Sequence, residues 1–159
     1  MKIFGAIAVL LVLSSGCSAK GARFQDTPFA EEKIPADKSR IIFFRGSDIA
    51  LVAVTLSIDD AVVGHLAQRG FIVADTIPGD HKISAAAGWM PASDAKIMIN
   101  TIAGDTYYFR VAHRTERELY GLFGIFGTAA MLADREAFKI QPVAPASAQL
   151  ELKEFKLSE

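Results

Sequence analysis

The side chains that could carry chemistry are few: three histidines, one cysteine, scattered aspartates, and arginines set beside aromatic residues. His65, His81 and His113 share no close spacing with one another or with a paired acid. A zinc site needs three or four converging ligands, usually at recognisable local spacing. Only a meeting of His65 and His81 across strands would begin one, so these are read as separate strand or turn histidines, with no metal and no cofactor. Asp59, Asp60, Asp75, Asp80, Asp94 and Asp105 mostly fall at turns, where a short carboxylate bonds nearby backbone N–H groups. Paired-acid hydrolysis would need two of them across a cleft with one pKa raised, which nothing in the spacing indicates. Asp75 is the exception, because it interrupts an apolar strand. Arg45 and Arg110 adjoin Phe44 and Phe109, with Tyr108 close by. Such a grouping can hold a carboxylate or phosphate, or it can be a strand-edge charge with its stem packed on a ring. The second reading is preferred. No serine sits in a nucleophile elbow and no Gly-rich phosphate loop follows a strand. The chain is therefore expected to have no catalytic residues and not to be an enzyme, with a hydrolase as the remote alternative.

Cys17 is the one residue whose position specifies a reaction. Met1-Lys2 forms a short positive start, Ile3 to Leu13 is an uncharged apolar run, and Ser14-Ser15-Gly16 leads into the cysteine. A helix of about 11 residues spans only ~16 Å, long enough for a leader and too short for a bilayer. Leu13-Ser14-Ser15-Gly16-Cys17 resembles the bacterial lipobox, in a variant with Ser14 where leucine is commonest. An ordinary secretory leader is the alternative, but it would leave a lone thiol with no disulfide partner. Residues 1–16 are read as a lipoprotein signal peptide and Cys17 as the lipidated mature N-terminus. Each buried methylene contributes ~0.8 kcal/mol, so a multi-chain anchor is effectively permanent. Ser18, rather than Asp, follows the cysteine, which favours an outer-membrane address facing the periplasm.

The elements behind these residues read as β-structure. The net charge of −1 gives no electrostatic case for nucleic acid, and the length fits one domain. Residues 17–38 follow no period and are expected to form a tether, ordered only where Phe24 and Phe29 pack on the domain. From Ser39, short apolar stretches alternate with turn signals at intervals of roughly 8 to 12 residues, the spacing of a sandwich or barrel. Strands are expected at Ile41–Arg45, Leu51–Ile58, Ala61–Gln68, Phe71–Ile77, His81–Ala87, Ala95–Ile102, Thr106–His113 and Phe138–Val143. Asp59-Asp60 and Ala103-Gly104-Asp105 read as turns, and Pro78-Gly79-Asp80 has type II turn chemistry. Ala146–Leu157 is expected as a short helix with Leu150, Glu154 and Leu157 on adjoining turns. A terminal strand is the alternative, since Leu150 and Leu152 alternate with charges. The fold class is all-β, an antiparallel β-sandwich of immunoglobulin-like or prealbumin-like type. The domain covers 39–145, with an apolar insertion at 119–133, and 146–159 forms the tail.

Arg40-Ile41-Ile42-Phe43-Phe44-Arg45, Ser57 through Leu66, Ile77-Pro78-Gly79-Asp80-His81 and Ala103 through Arg110 together resemble the bacterial lipoprotein family called domain of unknown function 2846. The resemblance covers most of the chain after Lys38. It implies a β-sandwich on a lipid tether and supplies no activity. Gly121–Leu132 departs from it, being unusually apolar and outside the family's motifs.

That departure is the main candidate contact. Its glycines recur three apart, and a helix there would reach only ~21 Å. Packing against the sandwich is one reading; an apolar surface for a protein partner or the anchoring bilayer is the other. Leu122, Phe123, Ile125 and Phe126 are its contact candidates, with Trp89 and its loop as a weaker one. The expected function is a lipid-anchored, non-enzymatic envelope module binding a protein or glycan. Carriage of a small apolar ligand or lipid is the alternative.

Overall fold

The computed structural model describes residues 18–48, 52–86, 94–114 and 136–158. Cys17, Trp89, Leu122, Phe123, Ile125 and Phe126 lie outside the described residues, as do the proposed leader and the whole apolar insertion. The described chain is mostly β and folds as two packed sheets, with a short helix near the C-terminus. The strands are β1 (Ser39–Arg45), β2 (Val54–Ile58), β3 (Ala61–Leu66), β4 (Gly70–Thr76), β5 (Gly79–Ala86), β6 (Ala95–Thr101), β7 (Thr106–His113), β8 (Phe138–Pro142) and β9 (Lys156–Leu157). One sheet has the order β8-β7-β1-β4-β9 and the other β3-β2-β5-β6. Helix α1 covers Pro145–Leu152.

β1 lies at the centre of the five-stranded sheet, and every one of its residues is buried. Its unbroken Ile-Ile-Phe-Phe run follows from having both faces covered. Ile41 and Phe43 enter the core between the sheets with Val54, Leu56, Leu66, Ile83, Phe109 and Phe138. Ile42 and Phe44 face outward into a second cluster with Phe24, Phe71, Tyr108 and Leu152. β2 shows the opposite pattern: Val54, Leu56 and Ile58 are buried, while Thr55 and Ser57 are half-buried. This is the period-2 signature of a strand with one covered face.

Several expectations change. The sandwich is not wholly antiparallel, because β1 pairs with β7 and β4 with β9 in parallel. Pro78 does not turn a hairpin: β4 belongs to one sheet and β5 to the other, so the segment crosses between them. Gly79, at φ 135°, is already the first residue of β5 rather than the corner of a type II turn. The helix ends at Leu152 and buries Ala148 and Leu152, leaving Leu150 exposed. Both readings of the tail thus hold in part, since the two-residue β9 follows the helix. The Asp59-Asp60 turn is as expected, both residues lying at positive φ.

Ser18 to Lys38 packs on the domain at the points its aromatics mark. Phe24 meets Phe71 edge-on with ring centroids 5.2 Å apart, and Arg40 lies over the Phe29 ring. The backbone adds a ladder: Gly21 N–H donates to the Leu157 carbonyl, Leu157 N–H to Ala22, and Phe24 N–H to Phe155. This strap covers the outer side of β9. A Cβ at Gly21 would fall 2.6 Å from the Leu157 carbonyl oxygen, so only glycine permits the approach. Gly21→Val is expected to lift the strap while leaving the sheets paired. Limited proteolysis should then cut between Ser18 and Phe24 several-fold faster than in the parent, with little change in the circular dichroism of the strands.

Candidate functional site

Inner-facing residues of β1 alternate, so the strand that sends Ile41 and Phe43 into the core also sends Arg45 inward. Its side chain is 0% exposed. Nε and one terminal nitrogen donate to the two carboxylate oxygens of Asp48 at 2.8 and 2.6 Å, and the other terminal nitrogen donates to the Val52 carbonyl. The guanidinium lies 5.2 Å from the centre of the Phe138 ring. The preferred reading of Arg45 as an edge charge is thus half right: it stacks on an aromatic, but from inside the fold. A charge so placed requires a bidentate partner to offset its lost hydration.

The same network reaches the N-terminal strap. The Gln68 side-chain amide donates to the Asp48 carbonyl, Ala19 N–H donates to the Gln68 carbonyl at 3.0 Å, and Ser18 bridges Gln68. Arg45, Gly70 and Arg69 lie level with one another, Arg69 N–H donating to Gly46. β7 and β8 finish and start at this level, with His113 opposite Phe138. Beyond them Arg114 N–H donates to the Ala137 carbonyl, and Arg114 pairs with Glu136 at 3.5 Å. One end of the sandwich therefore gathers Ser18, Asp48, Val52 and the residues flanking 115–135. Ala86 and Asp94, which flank 87–93, belong to the same end through Thr55↔Ala86, Val54↔Leu66 and Ala85↔Ala95. Trp89, Leu122, Phe123, Ile125 and Phe126 lie outside the described residues, and the described residues flanking them are at the same end of the sandwich as Ser18.

The remaining sequence candidates sit elsewhere and are engaged. Asp75 faces Arg40 across β1 and β4, accepting from its guanidinium at 2.7 and 2.9 Å, which explains a carboxylate within an apolar strand. Glu32 of the strap adds a looser contact at 3.4 Å. Arg110 pairs with Glu151 of the helix and lies over Phe44. His65 contacts the Thr55 hydroxyl at 3.1 Å, and His113 meets Phe138 edge-on.

His81 does have an acid partner, contrary to expectation. Nδ1 lies 2.6 Å from an Asp59 carboxylate oxygen and Nε2 lies 2.7 Å from the Ile77 carbonyl. Both neighbours accept, so the arrangement favours the ring form that carries a proton on each nitrogen. Burial works against that charge, but Asp59 and the Ile77 carbonyl outweigh it and hold the pKa above the ordinary imidazole value. The reciprocal hydrogen bond, with a second from Lys82 N–H, holds the Asp59 carboxyl below its usual range. This is an Asp–His pair in form, yet its outer nitrogen is capped by backbone. It ties the β2–β3 turn to the β4–β5 crossover. The partners stand 22 residues apart, so no local spacing could have revealed them. Among the described residues, no group of three or more His, Cys, Asp or Glu could hold a metal ion. No helix among them is long and apolar enough to cross a membrane.

The geometry thus defines a two-sheet β-sandwich braced by ion pairs on buried arginines, with Ser18 of the strap and the described residues flanking 115–135 at one end. The chain belongs to the family described as protein of unknown function (DUF2846), which matches residues 35–123. The match begins after most of the strap and ends inside the apolar segment, so most of both lies outside the matched residues. No curated protein matches the chain.

Arg45→Met keeps the side-chain volume but strands Asp48 and the Val52 carbonyl, and should cost about 3–5 kcal/mol in urea unfolding. A loss below about 1 kcal/mol would show that the pair does not hold this end. Stability should also depend on pH from both sides. His81, raised above 6.5, contributes fully below that value and loses its contribution as pH climbs through the folded pKa. Asp75, lowered by the Arg40 hydrogen bond despite burial, contributes above about 3.9 and loses its contribution as pH falls through its folded pKa. Urea midpoints should therefore form a plateau between roughly pH 4 and 6.5. His81→Gln should flatten the alkaline side and Asp75→Asn the acid side.

Proposed function

We propose that this chain is a lipid-anchored, non-enzymatic module of the bacterial envelope, which meets an envelope protein or glycan through the end of the sandwich nearest its anchor. One observation carries the reading: Ser18, adjacent to Cys17, and Arg114 and Glu136, which bracket the apolar insertion, emerge at the same end. Acyl chains on Cys17 would hold that end at the bilayer surface. The apolar side chains of Leu122, Phe123, Ile125 and Phe126 would then work at headgroup level, where a partner is met within the plane of the membrane. The leader, the lipobox resemblance and the single cysteine support the anchor. An outer-membrane, periplasm-facing address follows from Ser18 after the cysteine. The full Arg45–Asp48 pairing and the capping of His81 support a binding role over catalysis.

Two variants test the two halves. Radiolabelled palmitate should enter the parent and not Cys17→Ser, which should leave the membrane fraction for the soluble one. Replacing Leu122, Phe123, Ile125 and Phe126 together by serine should leave palmitate incorporation and thermal melting unchanged. It should also abolish co-purification of cross-linked envelope components. Retained capture, or a melting point lowered in parallel with capture, would mean that the segment is core and not a contact.

A further inference from the structure

A β-sheet edge exposes unpaired N–H and C=O groups, and proteins usually guard it by a bulge, a proline, a short strand or a cover. Among the described residues, three of the four sheet edges here are guarded. β3 is bulged, with a register shift opposite Leu56 and Ser57 and Gly64 at φ 155°. β8 has five residues and ends in Pro142. β9 is covered by the strap from Gly21 to Phe24. Among the described residues β6 has no bulge, no proline and no strand or strap paired to its outer edge. It runs seven residues without Gly or Pro, pairs with β5 in unbroken register, and is last in its sheet.

We infer that β6 is a homodimer interface, pairing antiparallel with β6 of a second copy about a two-fold axis at Met98. The sequence Ala95-Lys96-Ile97-Met98-Ile99-Asn100-Thr101 is self-complementary about that centre. Met98 meets Met98, Ile97 meets Ile99, and Lys96 meets Asn100, so no like charges oppose. The pleat agrees. Ile97 and Ile99 face the core and are only half-buried by one copy, while Lys96, Met98 and Asn100 point outward. Met98 is 69% exposed, the largest value among the large apolar side chains of the described residues.

The next strand completes the match. Asn100 donates to Asp80 at 2.7 Å on the outer face of β5. In the dimer Lys96 of one copy approaches the Asn100–Asp80 pair of the other, and the symmetry makes this contact twice. Lys82, beside Met98, is drawn to Asp60 at 2.7 Å, which leaves the methionine flank open. Pairing would join two four-stranded sheets into one of eight, and the occupant is a second copy because the edge's own pattern is its complement.

The test uses the full-length protein, in membranes and in detergent. Oxidation of Met98→Cys should give a covalent dimer well above the levels seen with the parent and with Val62→Cys on the guarded edge, where Val62 is 61% exposed. By sedimentation equilibrium the parent should be a dimer. Lys96→Glu, acting at both symmetric contacts, should raise the dissociation constant by about tenfold or more. Lys96→Glu with Asp80→Lys should recover most of that loss, which a merely unfolded strand would not do. Equal cross-linking at positions 98 and 62, a monomeric parent up to about 0.1 mM, or no recovery in the double variant would overturn the inference.

Discussion

A guanidinium with no access to water sits where the central strand runs out, and the architecture of that end follows from it. Arg45 points inward because it shares a face with Ile41 and Phe43. Leaving it unpaired would cost several kcal/mol, so the chain after β1 must fold back at once to supply a carboxylate and a carbonyl. Asp48 and Val52 do so within a few residues. Asp48 then offers its own carbonyl to Gln68, which receives the N-terminal strap through Ala19. The ring of Phe138 closes the other side and fixes where β8 starts.

Two further polar clamps divide the remaining work. The Arg40–Asp75 pair lies on the outer face of the same strand and is overlaid by Glu32 and Phe29 of the strap. The His81–Asp59 pair lies at the opposite end, where Ile77 and Pro78 lead the chain from one sheet to the other. Apolar packing supplies most of the driving force in the middle of the sandwich, but it is non-directional. The directional contacts are placed where the backbone changes sheet, doubles back or docks, and there they select one register.

The strands were legible because apolar periodicity and turn residues agreed, as in Val54-Thr55-Leu56-Ser57-Ile58 and the Asp59-Asp60 turn. How they pair was not. Nothing local in Thr106–His113 marks it as a parallel neighbour of β1, and Pro78 reads the same in a hairpin as in a crossover. Leu150 and Leu152 look equivalent in sequence, but the end of the helix buries only Leu152. Polar partners were the least legible. Asp75 signalled by its apolar surroundings that something must neutralise it, yet its partner lies 35 residues earlier. Arg45 and Arg110 look alike beside phenylalanine, and strand parity decides that one is fully buried while the other stays partly exposed. The site candidates of the apolar insertion were visible by composition alone, and what the fold adds is the location of their flanks.

The ladder between Gly21–Phe24 and Phe155–Leu157 joins segments made at very different times. During synthesis Phe155–Leu157 follow β1 to β8, so the strap has no rail to lie on until all eight earlier strands have emerged. Up to then the outer faces of Phe44 and Phe71 are uncovered, and a truncated product ending before β9 would carry that greasy surface permanently. Strap closure thus marks a chain that has been made as far as β9, a difference that proteases and chaperones sensing exposed aromatics would be able to read.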